Sequence, residues 1–216
     1  MQWPDDSQRI AIIGRTGSGK TQAAVYHLAL RSYTSMPWVI FDWKGEDLIA
    51  DIPFTQEIGL DETPKKKGLY IVRPLPSDSK AVTDFLWRIW ERGRTGVYFD
   101  EGYMVGRTNP AYRAILTQGR SKKIPAIVLS QRPVYMDLFT FSEADFFQIF
   151  HLNRKRDRET VADYLPDNKI DKQLSMYFSY YYNVVRDKLS ILKPVPDRDT
   201  ILGIFERRLS PKRKFI

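Results

Sequence analysis

Eight consecutive residues, Gly14-Arg15-Thr16-Gly17-Ser18-Gly19-Lys20-Thr21, match the pattern G-x-x-x-x-G-K-[ST] at every fixed position. The apolar run Ile10-Ala11-Ile12-Ile13 precedes them, and a helix-compatible stretch, Gln22 to Leu30, follows. Strand, glycine-rich loop and helix form the setting in which backbone N–H groups turn inward around a phosphate. The helix N-terminus adds partial positive charge at the same point. Lys20 is placed to reach β- and γ-phosphates, and the Thr21 hydroxyl to ligate Mg²⁺. A chain built around this element is constrained to an α/β fold.

The remaining pattern agrees. Apolar, β-branched and aromatic runs at Arg9–Ile13, Trp38–Asp42, Leu69–Val72, Val97–Asp100, Ala126–Ser130 and Phe147–His151 read as strands. Between them, Lys20–Ser32, Ser79–Arg92, Ala111–Arg120 and Arg156–Tyr164 read as helices. Near-continuous apolar strands separated by helices predict a mostly parallel sheet covered on both faces. In Ser79–Arg92, Val82, Phe85, Leu86, Ile89 and Trp90 share one helical face, and Gly93 follows as a C-cap. The segments Met176–Val185 and Lys188–Leu192 flank Arg186-Asp187 and predict an antiparallel hairpin at the sheet edge. Its tyrosines suit either cross-strand packing or the stacking of bases. Asp197–Arg208 reads as a last helix. Asp51–Lys67, with two prolines and Lys65-Lys66-Lys67, reads as a surface excursion. The 216 residues suit a single domain, with 209–216 as a loose basic tail.

Cysteine is absent, which removes disulfides and thiolate metal sites and suits a reducing compartment. The two histidines, His27 and His151, are far apart in sequence, so a zinc site is not expected. No apolar run is long enough to span a bilayer, and Met1–Asp6 does not read as a signal peptide. The expectation is a soluble, cytoplasmic protein. The formal net charge is +8. Residues 1–150 are nearly balanced, with 19 basic against 17 acidic residues, whereas residues 151–216 hold 15 against 9. A basic C-terminal third suits a polyanionic partner such as nucleic acid, and equally a solvated basic surface.

Two further strand ends carry chemistry. Val97-Tyr98-Phe99-Asp100-Glu101 is an apolar strand ending in two carboxylates. After a phosphate loop, Asp100 suits a Mg²⁺-supporting role, and Glu101 suits a base that polarises the attacking water. Ala126–Ser130 ends in Gln131, which is either a γ-phosphate sensor or a turn residue before Arg132-Pro133. Asn153-Arg154-Lys155-Arg156-Asp157 departs from the guanine-reading motif, because Arg154 stands where lysine belongs.

The phosphate loop, the strand ending in Asp100-Glu101 and the strand ending in Ser130-Gln131-Arg132-Pro133 together resemble the FtsK–HerA superfamily of P-loop motor ATPases. Trp38–Glu46, ending Asp42-Trp43-Lys44-Gly45-Glu46, is similar to that superfamily's second strand. Gln118–Pro125 matches the place where these motors carry an arginine-bearing segment. The resemblance covers roughly residues 9 to 135. A compact chain of this kind further resembles the genome-packaging ATPases of tailless icosahedral viruses that contain a membrane.

The resemblance implies a RecA/FtsK-like P-loop fold. It implies ATP and Mg²⁺ held by Gly14 to Thr21 with Asp100, Glu101 as base, and Gln131 as sensor. Arg120 would be an arginine finger acting on a neighbouring subunit's nucleotide, unless it is a surface arginine of the Arg120-Lys122-Lys123 cluster; Arg73 and Arg94 stand in reserve. It also implies a homo-oligomeric ring, a hexamer, and DNA bound without sequence preference. Capsid or portal-vertex proteins would be further partners, with action in the host cytoplasm or at the virion vertex. The loops Lys44–Lys67 and Gly102–Pro110 are candidates for a channel lining. The leading expectation is an ATP-driven DNA translocase. The alternatives are a small-molecule P-loop kinase and an ATP-dependent assembly or export protein of the filamentous-phage type.

Overall fold

Strand β1 (Ile10–Ile13) lies inside the sheet, hydrogen-bonded on both sides, and its residues alternate between two cores. Ile10 and Ile12 face one core, and Ala11 and Ile13 the other, as the two-residue period of a strand requires. The computed structural model describes residues 2–166 and 172–210.

Around β1 stand β2 (Pro37–Asp42), β3 (Gln56–Glu57), β4 (Gly68–Val72), β5 (Gly96–Asp100), β6 (Ala126–Ser130) and β7 (Phe146–Ile149). All seven run parallel, and the antiparallel hairpin of β8 (Ser179–Asn183) and β9 (Lys188–Leu192) closes one edge. The sheet order is β3-β4-β2-β5-β6-β1-β7-β8-β9. This is the mostly parallel sheet with a C-terminal hairpin that the patterning predicts.

Helices cover both faces. On one face lie α3 (Ser79–Arg92) and α4 (Pro110–Lys122), with the short α5 (Phe139–Ser142) and α6 (Lys155–Ala162). On the other lie α1 (Lys20–Ala29), α2 (Asp47–Ala50) and α7 (Arg198–Leu209). The apolar face of α3 buries Val82, Phe85, Leu86 and Ile89, with Trp90 partly buried beside them. Asp197 caps α7 by accepting from the Thr200 backbone at 2.8 Å, and α7 then buries Ile201 and Phe205 against α1. Phe205 stacks on Tyr33 with ring centroids 5.5 Å apart. Burying each such side chain contributes about 1.5–3 kcal/mol, so α7 is an integral part of the second layer.

Several sequence readings change in detail. The excursion Asp51–Lys67 contains β3, which pairs in parallel with β4 and extends the sheet by one strand. Two residues are too short a run for patterning to signal. Tyr180, Tyr181 and Tyr182 are buried; Tyr181 packs on Trp3, His27 and Phe146, and Tyr182 on Phe147. These three tyrosines are therefore cross-strand packing and are not open to stacking bases, whereas Tyr177, before β8, is exposed. Leu209 belongs to α7, and residues 211–216 of the expected basic tail lie outside the described residues.

Candidate active site

In a parallel sheet the strand ends that carry function point one way. Here the phosphate loop follows β1, Lys44 follows β2, Arg73 follows β4, Asp100-Glu101 ends β5 and Gln131 follows β6. The sheet order inserts β6 between β5 and β1, so the loop and the carboxylates face each other across Ser130-Gln131.

The loop itself is tied to both neighbouring strands. Gly14 donates its N–H to the Ser130 carbonyl at 3.1 Å, and Arg15 to the His151 carbonyl at 3.0 Å. Gly17 and Gly19 adopt φ of 74° and 92°, a region that glycine enters without steric cost. Gly19 thereby becomes the N-cap of α1 and aims that helix at the centre of the loop. Arg15, Thr16 and Gly17 are exposed at the tip, whereas Ser18 and Lys20 are buried.

Lys20 points at the end of β5. Its Nζ lies 3.7 Å from Glu101 Oε1. Glu101 is fully buried and holds φ 62°, ψ 70°, a left-handed conformation that costs a non-glycine residue about 1–2 kcal/mol. Its carboxylate meets three donors. Oε1 also accepts from Lys44 Nζ at 2.5 Å, and Oε2 accepts from the Gln131 backbone N–H at 3.2 Å. Gln131 in turn accepts at its Oε1 from Thr16 Oγ1 at 2.5 Å. Lys20, Thr16, Glu101 and Gln131 thus form one connected group. Burial pulls the Lys44 ammonium down, but the hydrogen bond and charge of Glu101, aided by Asp100 and Glu46, hold it above its ordinary value.

Asp100 is also fully buried, and neither carboxylate oxygen has a hydrogen-bond partner among the described residues. Burial pushes its carboxyl up to about 7; Lys44 pulls it back, and Glu101, Glu46 and Asp42 push it further up. A buried carboxylate without a partner is costly, and a divalent cation is a group that would repay the cost. The donor set fits Mg²⁺, a hard cation that takes oxygen ligands: the Asp100 oxygens and the hydroxyl of Thr21, the first residue after Lys20 in α1.

Two features escaped sequence reasoning. Lys44 had a place in the second-strand motif, but its contact with Glu101 spans 57 residues and had no local signal. Beside the loop lies a cavity of about 170 Å³ lined by Arg15, Gly17, Ser18, Phe150, His151 and Tyr177. The end of β7 and the segment before β8 bring its lining together.

The candidate arginines separate. Arg120 sits in the last turn of α4, at the opposite edge of the sheet from the phosphate loop. Its Nη2 lies 3.2 Å from Asp145 Oδ1, just before β7, and its side chain is 59% exposed, so it does not reach its own loop. Arg94 precedes β5 at that same far edge. Arg73 lies at the loop's edge, bonded from Nε to Asp42 Oδ2 at 3.3 Å and paired with Glu57.

Over 99% of its length the chain is 45% identical to the DNA packaging ATPase P9 of Enterobacteria phage PRD1, of which it covers 98%. The chain belongs to the viral DNA-packaging ATPases. No protein-family model matches the sequence. The genome-packaging NTPase B204 of Sulfolobus turreted icosahedral virus 2, solved with AMPPCP, superposes with a TM-score of 0.72 at 19% identity. The match covers 89% of this chain and 100% of that one. The pCW3 conjugation coupling protein TcpA, solved with ATPγS, superposes with a TM-score of 0.61 at 13% identity, over 94% of this chain and 65% of that one. At these identities the likeness is one of fold. The full-length relationship to a DNA packaging ATPase leaves the kinase and export readings not favoured.

Proposed function

We infer that this chain hydrolyses ATP to drive viral DNA into a capsid. The observation that carries the reading is the convergence of Lys20, Glu101 and Gln131 on one phosphate loop, in a chain related over its full length to a DNA packaging ATPase.

In this reading the N–H groups of Gly14 to Thr21 cradle the phosphates, and Lys20 neutralises the γ-phosphate. Thr21 and Asp100 would hold Mg²⁺, which would supply neutralisation of phosphate charge there. Glu101 orients a water and takes its proton as the water oxygen attacks the γ-phosphorus. The bond from phosphorus to the β–γ bridging oxygen breaks, and ADP leaves with the electron pair. Gln131, bonded to Thr16, registers whether the γ-phosphate is present. Arg120 is exposed and remote from its own loop, and therefore suits action on a neighbour's nucleotide in a ring, which we take to be a hexamer. DNA would be gripped through its phosphates by the loops Lys44–Lys67 and Gly102–Pro110, both of which leave the loop's edge of the sheet. Among the described residues no helix is long and apolar enough to cross a membrane. Action at a capsid vertex, with capsid or portal proteins as partners, fits this reading.

The test is Mg²⁺-dependent ATP turnover by the purified chain, with and without duplex DNA. Lys20→Ala should weaken nucleotide binding about tenfold or more, as expected for losing a charge-assisted contact. Glu101→Gln should keep ATP bound while turnover falls about 10²–10⁴-fold. Unchanged turnover in either variant overturns the assignment.

A further inference from the structure

The edge of the sheet opposite the phosphate loop gathers cations from three places far apart in sequence. Lys65–Lys67 precede β4, Arg92 and Arg94 stand at the turn from α3 into β5, and Lys122 and Lys123 stand at the turn from α4 into β6. The order β4-β2-β5-β6 sets the three turns along one stretch of that edge. Direct contacts join them. Arg88 and Arg92 of α3 donate to the carbonyls of Leu60 and Pro64, which ties the lysine loop to the end of the helix. The Tyr70 hydroxyl fixes Lys66, accepting from its N–H at 3.1 Å and donating to its carbonyl at 3.0 Å. Arg94 donates its N–H to the Lys122 carbonyl at 2.8 Å. The three turns therefore form one surface.

These cations are unbalanced. All are exposed except Lys122, which is half-buried, and among the described residues none of them forms an ion pair. In residues 63–68, 90–96 and 118–125 the acidic residue is Glu91, against eight basic residues. The eighth, Arg120, is the one paired with a carboxylate, that of Asp145. Part of the excess has an internal reason. Cations suit helix C-termini, so Arg92 and Lys122 complete α3 and α4, and Lys122 also lies over the Trp90 ring at 3.8 Å. That reason does not reach Lys65–Lys67, which lie on a loop. Nor does it explain Arg94 and Lys123, which hold φ of 42° and 56° where glycine or asparagine would cost less. The nucleotide does not account for them either. The five residues of β5 separate this edge from Asp100 by about 17 Å, roughly twice the Debye length of about 8 Å at physiological salt.

We propose that this edge is a DNA-backbone face, which takes the phosphates of a duplex on the side of the sheet away from the nucleotide. The inference rests on the functional reading above and adds where the polyanion is held. Lys65–Lys67 are shared with the Lys44–Lys67 loop, whereas Gly102–Pro110 stands at the opposite edge of the sheet. Clustered like charges repel one another in the free chain, and a duplex, with one negative charge per about 1.7 Å of axis, relieves that repulsion at several points at once. Lysine ammonium groups on turns act as point charges towards phosphate and carry no reading of base edges.

The experiment changes Lys122 and Lys123 together, to alanine, to glutamate and to arginine, and follows binding to a fluorescent linear duplex over a salt series. The alanine pair should lower the slope of log K against log salt by about 2, at about 0.9 per phosphate contact. At about 0.1 M salt it should weaken binding about tenfold or more. The glutamate pair should bind more weakly still. The arginine pair keeps the charge and should bind as wild type does. Melting temperatures of all three pairs separate a lost contact from a lost fold. A wild-type slope and affinity in the alanine pair overturn the proposal, as does a loss that the arginine pair shares without a fall in melting temperature. A parallel arm sediments the proteins with phosphatidylglycerol-containing vesicles. Vesicle binding that the glutamate pair loses while its DNA binding stays intact would assign the face to an anionic lipid surface and overturn DNA as its occupant. Wild type that binds no duplex at any salt would instead remove the reading of the chain as a DNA motor, and the proposal with it.

Discussion

Thr16, at the exposed tip of the phosphate loop, donates its hydroxyl to Gln131 Oε1 at 2.5 Å, while the Gln131 backbone N–H holds Glu101. One residue therefore touches both the phosphate cradle and the carboxylate. Gln131→Ala should leave nucleotide affinity within a fewfold of wild type. It should lower kcat about 10²-fold, the scale of removing one aligned polar group from a reacting centre. Equilibrium binding of a fluorescent ATP analogue, alongside turnover, separates the two effects. Equal losses in binding and turnover would make Gln131 a structural turn residue.

Asp100 titrates near 7 in the folded chain, against an ordinary value of 3.8, chiefly because it is buried. The folded state thus holds its proton more tightly than the unfolded state. The stability linked to that proton is present below about pH 4 and is lost as pH rises through about 7. Asp100→Asn, tested without nucleotide or metal, should therefore be more stable than wild type at pH 8, by a few kcal/mol at most. The advantage should vanish near pH 4. Mg²⁺ with ATP should raise the melting temperature of wild type and not that of the variant. Thermal denaturation at the two pH values reads both effects.

His27 provides the opposite slope. It is buried on α1, with Nε2 2.8 Å from Gln148 Oε1, and Gln148 donates to Ser179 at 2.9 Å. Burial first, and then the charge of Arg31, lower it to about 3 from 6.5, against a smaller upward pull from the Gln148 hydrogen bond. The unfolded chain takes up the proton first as pH falls. The stability of the neutral ring is complete above about 6.5 and is lost towards about 3. His27→Gln should cost about 1–3 kcal/mol at pH 7 from repacking and an altered hydrogen bond. Its deficit against wild type should shrink as pH falls from 6.5 to 4. A deficit independent of pH would mean that His27 does not titrate in this range on unfolding.

DNA binding should be steeply salt-dependent and indifferent to sequence. Each phosphate neutralised contributes about 0.9 to the slope of log K against log salt. Replacing Lys65, Lys66 and Lys67 together by alanine should reduce that slope by about 2 to 3 without changing ATP turnover in the absence of DNA. Fluorescence anisotropy over a salt series measures it. An unchanged slope would place the DNA path elsewhere.

Arg120 is open to a neighbour and closed to its own loop. If Arg120 acts as proposed, Arg120→Ala should retain ATP binding and lose turnover by about 10³-fold, the scale of losing an arginine finger. Mixing it with Lys20→Ala subunits should restore part of the activity, because some boundaries then pair an intact loop with an intact arginine. In an assembled ring bound to an ATP analogue, Arg120 should lie nearer the adjacent chain's γ-phosphate than its own. Arg120 remaining on Asp145 in that ring would transfer the role to Arg73.

The parts of this protein that are local in sequence are legible there. The loop from Gly14 to Thr21 announces itself, because its glycines, lysine and threonine are contiguous and its flanks are apolar and amphipathic. The strands of the parallel sheet read clearly wherever they are buried on both faces, and α3 reads to the residue because its stripe repeats at the helical period. What tertiary structure decided is order and partnership. Nothing local states that β6 inserts between β5 and β1, and that insertion sets Gln131 between the loop and Glu101. The pair of Lys44 with Glu101 joins strand ends 57 residues apart. The two-residue strand β3 exists only because β4 offers it an edge. The tyrosines of β8 are a core rather than a platform, because Trp3, His27 and Phe146 close over one of their faces and Phe147 meets the other. Local pattern reports which face of an element is apolar and which residues can bear charge. Only the packed sheet determines which charges meet, and at what distance.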